Sequence, residues 1–113
     1  MFATHHPDGY RTVAPGIRMK TLCYGHETLM TEFRLSSGAT LSAHAHPHEQ
    51  TGYLVSGHMA LTIGGQTHDV RPGDSWCIPG GVEHRAAILQ NAVAVEVFSP
   101  VRQDYLPEGA QTG

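Results

Sequence analysis

His44 and His46 stand two residues apart, Gln50 follows after a short bend at Pro47, and a further histidine, His84, opens a later stretch. Side chains at i and i+2 of a strand leave the same face, so the first two imidazoles can converge on one point. With His84 folded across to them, the set is three imidazoles and one amide oxygen. Such a mixed nitrogen and oxygen set suits one divalent metal ion, Ni, Zn, Fe or Mn, and contrasts with an all-oxygen calcium site. A lone histidine is ordinarily structural, but two on one strand face with a third at a matching position read as metal ligands. The remaining histidines lack that pattern. His5 and His6 sit in a terminal segment beside Pro7 and Gly9, and His26, His58 and His68 read as surface or turn residues without a partner at ligand spacing. His48 follows Pro47 and either lines the pocket mouth or faces solvent.

Elements able to hold these residues must be strands. The 13 glycines and seven prolines cut the chain into short pieces whose apolar residues alternate with polar ones, and no segment has good helical spacing. The alternation predicts strands at Arg18–Tyr24, Leu29–Leu35, Thr40–His46, Gly52–Val55, Met59–Ile63, Gln66–Val70, Ser75–Ile78, His84–Ile88 and Ala92–Phe98. Gly64-Gly65 between two of them predicts a tight hairpin, because both positions of a primed turn take positive φ. Many short strands joined by glycine turns imply an all-β sandwich or barrel, and closure of a barrel removes sticky edges. The expected organisation is an N-terminal arm over residues 1–15, one barrel over 16–106, and a flexible tail over 107–113.

At 113 residues the chain is about one domain by the usual prior of roughly 100 to 200 residues each, and it buries enough surface to fold without staples. Charged residues are 15% of the chain and the net charge is −3, which argues against nucleic-acid and acidic-membrane partners and in favour of a small molecule. Cys23 and Cys77 match no CxxC spacing and read as reduced, buried small hydrophobes. The N-terminus lacks a basic region followed by an apolar one, and no run reaches membrane-spanning length, so a cytoplasmic protein is expected.

Two motifs resemble those of the cupin superfamily: Gly38-x5-His44-x-His46-x3-Gln50-x6-Gly57 is similar to the first, and Gly73-x5-Pro79-x-Gly81-x2-His84 to the second. The resemblance implies a double-stranded β-helix, a jelly-roll-like barrel, with the ion inside. Gln50 occupies a position where many cupins have glutamate, and Glu49 is one residue too early. A neutral ligand leaves the site one unit more positive, hence a stronger Lewis acid toward an anion.

Along the last strand Val93, Val95 and Val97 share one face, while Ala94, Glu96 and Phe98 share the other. Pattern alone leaves open which face is inside. The segment Phe98-Ser99-Pro100-Val101-Arg102-Gln103-Asp104-Tyr105-Leu106 and the His-x-His-Pro-His-x-Gln stretch resemble small cupins related to the pectin-degradation protein KdgF. That resemblance turns Glu96 inward and leaves the valines to be covered by a second copy, a homodimer. It implies that Glu96, Phe98 and Arg102 are catalytic, with aspartate expected where Glu96 stands, and that the activity is opening of 4,5-unsaturated uronates to linear keto sugars. Arg102 would hold the carboxylate of an anionic sugar, or else form a surface or dimer salt bridge. Tyr53, Trp76 and Phe98 are pocket walls or core. Two other functions use the same barrel. An iron-dependent dioxygenase would take oxygen at open coordination positions, and a non-catalytic sugar- or metal-binding protein would need the ligands without Glu96.

Overall fold

Leu29–Leu35 is apolar at three of its four inward positions, and its burial follows that alternation, with Leu29, Thr31, Phe33 and Leu35 inside. The computed structural model describes residues 1–107 and contains eight strands. They are β1 (Arg11–Ala14), β2 (Ile17–Tyr24), β3 (Leu29–Leu35), β4 (Thr40–His44), β5 (Glu49–Ile63), β6 (Gln66–Val70), β7 (Ser75–Ile78) and β8 (His84–Ser99). Among the described residues the one helical element is a short 3-10 turn, Gln103–Tyr105, and no helix is long and apolar enough to cross a membrane. The all-β fold expected from the alternation is the fold observed.

Strand order is β1-β2-β3-β8-β5-β6, with β4 also on β8 and β7 also on β5. The two long strands therefore serve two sheets each. The Ala92–Phe98 part of β8 pairs with β3, while its His84–Ala87 part pairs with β4. The Gln50–Tyr53 part of β5 pairs with β7, and its Met59–Ile63 part with β6. Bending both strands from one sheet into the other closes the jelly roll around a core that includes Met19, Leu29, Phe33, Leu54, Met59 and Ile88.

This continuity corrects the sequence reading, which broke β5 between Val55 and Met59 and β8 between Ile88 and Ala92. The bend is built from bulges, with register shifts at Leu54/Ser56, Ser56/His58 and His58/Met59. Gly57 has φ +92°, and a Cβ there would lie 2.3 Å from the Asn91 carbonyl oxygen. Gly57 is thus the residue that lets the bulged part of β5 lie close against its paired neighbour β8. The Gly64-Gly65 hairpin is as expected, with φ of 56° and 86°.

Two further differences follow from exposure. β1 ends the segment read as an N-terminal arm. It is an edge strand whose residues are mostly exposed, so it carries no alternation to detect. Cys77 is exposed and Cys23 half-buried, both free, because Cys77 takes the outward register of β7 between Trp76 and buried Ile78. Of the expected tail, everything after Pro107 lies outside the described residues. The segment before it is held down: Val101 is buried, the Thr21 hydroxyl donates to the Tyr105 carbonyl, and the Arg11 guanidinium donates to the Asp104 carbonyl at 2.6 Å. These ties bring Arg102 and Tyr105 back onto the barrel beside Phe98.

Candidate metal centre

Strand register brings the first two histidines of the cluster together. His44 ends β4 directly opposite His84, the first residue of β8, and their ring centroids are 4.2 Å apart. His46 lies two residues beyond β4, yet its ring stays on the same side, 5.9 Å from that of His44 and 5.0 Å from that of His84. One nitrogen from each of the three lies within 4.8 Å of the others.

Hydrogen bonding selects which nitrogen points inward. Nδ1 of His44 faces the Ser42 carbonyl at 2.8 Å, Nδ1 of His46 the His48 carbonyl at 3.0 Å, and Nδ1 of His84 the Val82 carbonyl at 2.9 Å. A carbonyl oxygen only accepts, so each Nδ1 carries the proton and each Nε2 presents a lone pair. Nε2 of His84 is buried without a hydrogen-bond partner among the described residues, an arrangement that costs about 1–3 kcal/mol unless something binds there. Gln50 Oε1 lies 3.0 Å from His46 Nε2, so two lone pairs face one another. A second proton on His46 would relieve this, but burial and then the nearby Arg102 charge hold its pKa below the ordinary 6.5. A divalent cation held by these residues would satisfy all of them. The donor set therefore fits such an ion, and the neutral imidazoles and amide match the nitrogen and oxygen preferences of Ni, Zn, Fe or Mn.

Gln50 enters from the start of β5, opposite Phe98 of β8 and Ile78 of β7. Its amide Nε2 donates to Glu96 Oε1 at 2.5 Å. The neighbouring Glu49 is exposed, with its carboxylate 3.8 Å from Cys77 Sγ, and so points away from the cluster. Glu96 is 9% exposed and faces inward with Ala94 and Phe98, while Val93, Val95 and Val97 are half-buried on the outer face. Both Gln50 and Trp76, the latter at 3.2 Å, donate to the same carboxylate oxygen, which leaves Oε2 for other chemistry. Desolvation raises the Glu96 pKa, opposed by the hydrogen bonds from Gln50 and Trp76 and by the charge of Arg102.

Arg102 closes the pocket from the C-terminal turn. Its guanidinium lies 4.0 Å from the Tyr105 ring centroid and 5.2 Å from that of Phe98, and its Nε pairs with Asp104 at 3.0 Å. Phe98 is fully buried, 5.8 Å from the His46 ring. Trp76 lines the same pocket. Tyr53 does not: with Gln50, Gly52 and Leu54 turned inward, parity sends it outward, where it is half exposed. His48 packs 5.6 Å from His46, with a buried Nδ1 that has no hydrogen-bond partner among the described residues, and His58 pairs with Asp69 at 2.5 Å. Sequence reasoning passed over Tyr105. Its signal was the spacing of three from Arg102, which on a 3-10 turn puts the ring beside the guanidinium.

The cupin domain family model matches residues 31–99, a span that contains every proposed ligand. The chain belongs to the cupin family. This cupin is 25% identical to the pectin degradation protein KdgF of Dickeya dadantii over 99 residues, 86% of this chain and 90% of that one. The structure of KdgF from a Halomonas species superposes with a TM-score of 0.88 at 29% identity, covering 94% of this chain and 98% of the other. An RmlC-like cupin from Shewanella frigidimarina gives the same TM-score at 27% identity over 93% and 95%. The resemblance to KdgF read from two short stretches thus extends over nearly the whole barrel.

The buried groups set a pH dependence for the metal-free cupin. His46 and His84 have lowered pKa values, so their contribution to stability is present above about 6.5 and is lost as pH falls through the lowered values. Glu96 has the opposite sign. Its raised pKa gives stability that is full below the ordinary 4.5 and is lost as pH rises through the raised value. Glu96→Gln is therefore expected to raise the thermal midpoint of chelator-treated protein more at pH 7 than at pH 4.5. Equal shifts at the two pH values would contradict the burial of an ionisable group there.

Proposed function

We propose that this cupin is a metal-dependent, non-redox enzyme that opens the ring of 4,5-unsaturated uronates to linear keto sugars. The observation that carries the reading is that His44, Gln50, His84, a buried carboxyl, Glu96, and an arginine, Arg102, line one pocket, with His46 clustered against His44, His84 and Gln50. Similarity to a protein named for pectin degradation supports it, since pectin is a polymer of uronate units. A divalent ion held by those four residues would supply Lewis acidity toward the substrate's carboxylate and ring oxygen.

The chain's own residues account for the rest. Arg102 binds the carboxylate: with Nε on Asp104, its paired Nη groups remain for two hydrogen bonds that a lysine could not reproduce in geometry. Phe98 and Tyr105 hold the guanidinium in place and keep water from the reacting carbons. Glu96, anchored through Oε1, uses Oε2 to move the proton. The anomeric hydroxyl loses its proton, the bond between the anomeric carbon and the ring oxygen breaks to give an aldehyde and an enolate, and the α-carbon of that enolate, C4 of the sugar, takes a proton to give the ketone. The sum is an isomerisation, with no electrons gained or lost. Arg102→Ala is expected to raise KM by about 10–100-fold, the equivalent of one charge-assisted contact, with a smaller change in kcat. An unchanged KM would remove Arg102 from substrate binding.

The outer valine face, continued by half-exposed Met30, Tyr53 and Val55, is proposed as the surface covered by a second copy. Val95→Lys is expected to give a monomer in sedimentation velocity. A wild-type protein that sediments as a monomer would contradict the homodimer.

A further inference from the structure

Gln50 has an amide, not a carboxylate, and an amide has a wrong way round. Turned one way it offers Oε1, a ligand; turned the other it offers an NH2 group, which cannot bind a cation. The histidines by themselves favour the wrong choice, because the lone pair on His46 Nε2 attracts an N–H donor rather than Oε1. On the opposite side of the amide stands Glu96 Oε1, which as a carboxylate can only accept. The Gln50 Nε2 group is therefore drawn to it, at 2.5 Å, and Oε1 is left facing His46 Nε2. Glu96 in turn is held by the Trp76 indole N–H at 3.2 Å. The indole reaches it only because β5 has glycine at position 52: Gly52 pairs with both Glu96 and Trp76, and a Cβ there would lie 2.2 Å from the indole ring.

We infer that Glu96 is a positioning residue for the metal centre as well as its acid/base group, setting the direction of the Gln50 amide, and that Trp76, admitted by Gly52, fixes Glu96. A glutamine ligand makes this second layer necessary in a way that a symmetric carboxylate would not. The inference rests on the metal-binding part of the proposed function and is independent of the ring-opening reaction.

The test is metal affinity, measured by competition of Ni(II) or Zn(II) against a chromophoric chelator, with no substrate present. Glu96→Leu, which cannot accept a hydrogen bond, is expected to weaken binding by about 10–100-fold, the usual effect of losing an outer partner of a ligand. Glu96→Gln keeps an acceptor oxygen and is expected to retain affinity, which also guards against misfolding of the leucine variant. In a Gln50→Ala background Glu96→Leu is expected to cause no further loss, because the amide it orients is gone. Trp76→Phe is expected to weaken binding in the same direction by less. Wild-type affinity in Glu96→Leu, an equal loss in Glu96→Gln, or an undiminished effect in the Gln50→Ala background would each overturn the inference, and unchanged affinity in Trp76→Phe would overturn its second half. Wild-type protein that takes up neither metal would instead refute the metal-binding reading on which it stands.

Discussion

His84→Ala is expected to weaken divalent-metal binding by more than about a hundredfold, beyond the 10–100-fold typical of losing only an outer partner of a ligand. The residue combines three properties. It sits in direct register with His44, its Nδ1 is fixed by the Val82 carbonyl, and its buried Nε2 has no hydrogen-bond partner among the described residues. Alanine removes one of three nitrogen donors, and no neighbour can replace it, since Glu49 is turned toward Cys77. The metal-free barrel should remain folded, because deleting an unsatisfied buried nitrogen offsets part of the packing lost with the ring. Chelator competition reads the affinity, and thermal unfolding without metal reads the fold. Wild-type affinity in this variant would remove His84 from the ligand set.

Glu96→Gln is expected to lower kcat by about 10²–10⁴-fold, the contribution usual for a positioned acid or base, while metal affinity and KM stay close to wild type. Glutamine keeps the size and the acceptor oxygen that receives the Gln50 and Trp76 hydrogen bonds, but it cannot carry a proton. Because the parallel loss falls on kcat and kcat/KM alike, the pattern identifies an interaction needed in the transition state rather than in binding. Full activity in Glu96→Gln would take Glu96 out of the chemistry and leave it as a positioning group alone.

Much of the site was visible in the sequence because parity governs it. The spacing of His44 and His46 and the two motifs around them required only that strands alternate, and the β4–β8 register then set His84 against His44. The inward turn of Glu96 was undecided by pattern, since valines on one face and Ala94, Glu96 and Phe98 on the other are each credible cores. Its burial is decided by hydrogen-bond donors from Gln50 on β5 and Trp76 on β7, which no local pattern reports. The same limit explains the two broken strands. Gly57 and the exposed run Leu89–Asn91 look like ends, and only the bulged pairing of β5 with β8 makes them bends. Tyr53 was counted as a possible wall, although counting two from Gln50 and again from Gly52 turns it outward. Trp76 was counted as well, but its role depended on an absent side chain at Gly52, which a sequence shows only as another glycine.

Opening of an unsaturated uronate by this cupin is expected to require a divalent metal and no oxygen. The most direct test loads the protein separately with Ni, Zn, Mn and Fe(II), adds a 4,5-unsaturated galacturonate or mannuronate under anaerobic conditions, and follows the conjugated ultraviolet absorbance. The absorbance is expected to disappear with at least one metal, without oxygen, and to persist when the metal is removed by a chelator. Absorbance untouched with every metal under anaerobic conditions, or lost only when oxygen is admitted to the Fe(II)-loaded protein and is consumed in step, would contradict the ring-opening reading.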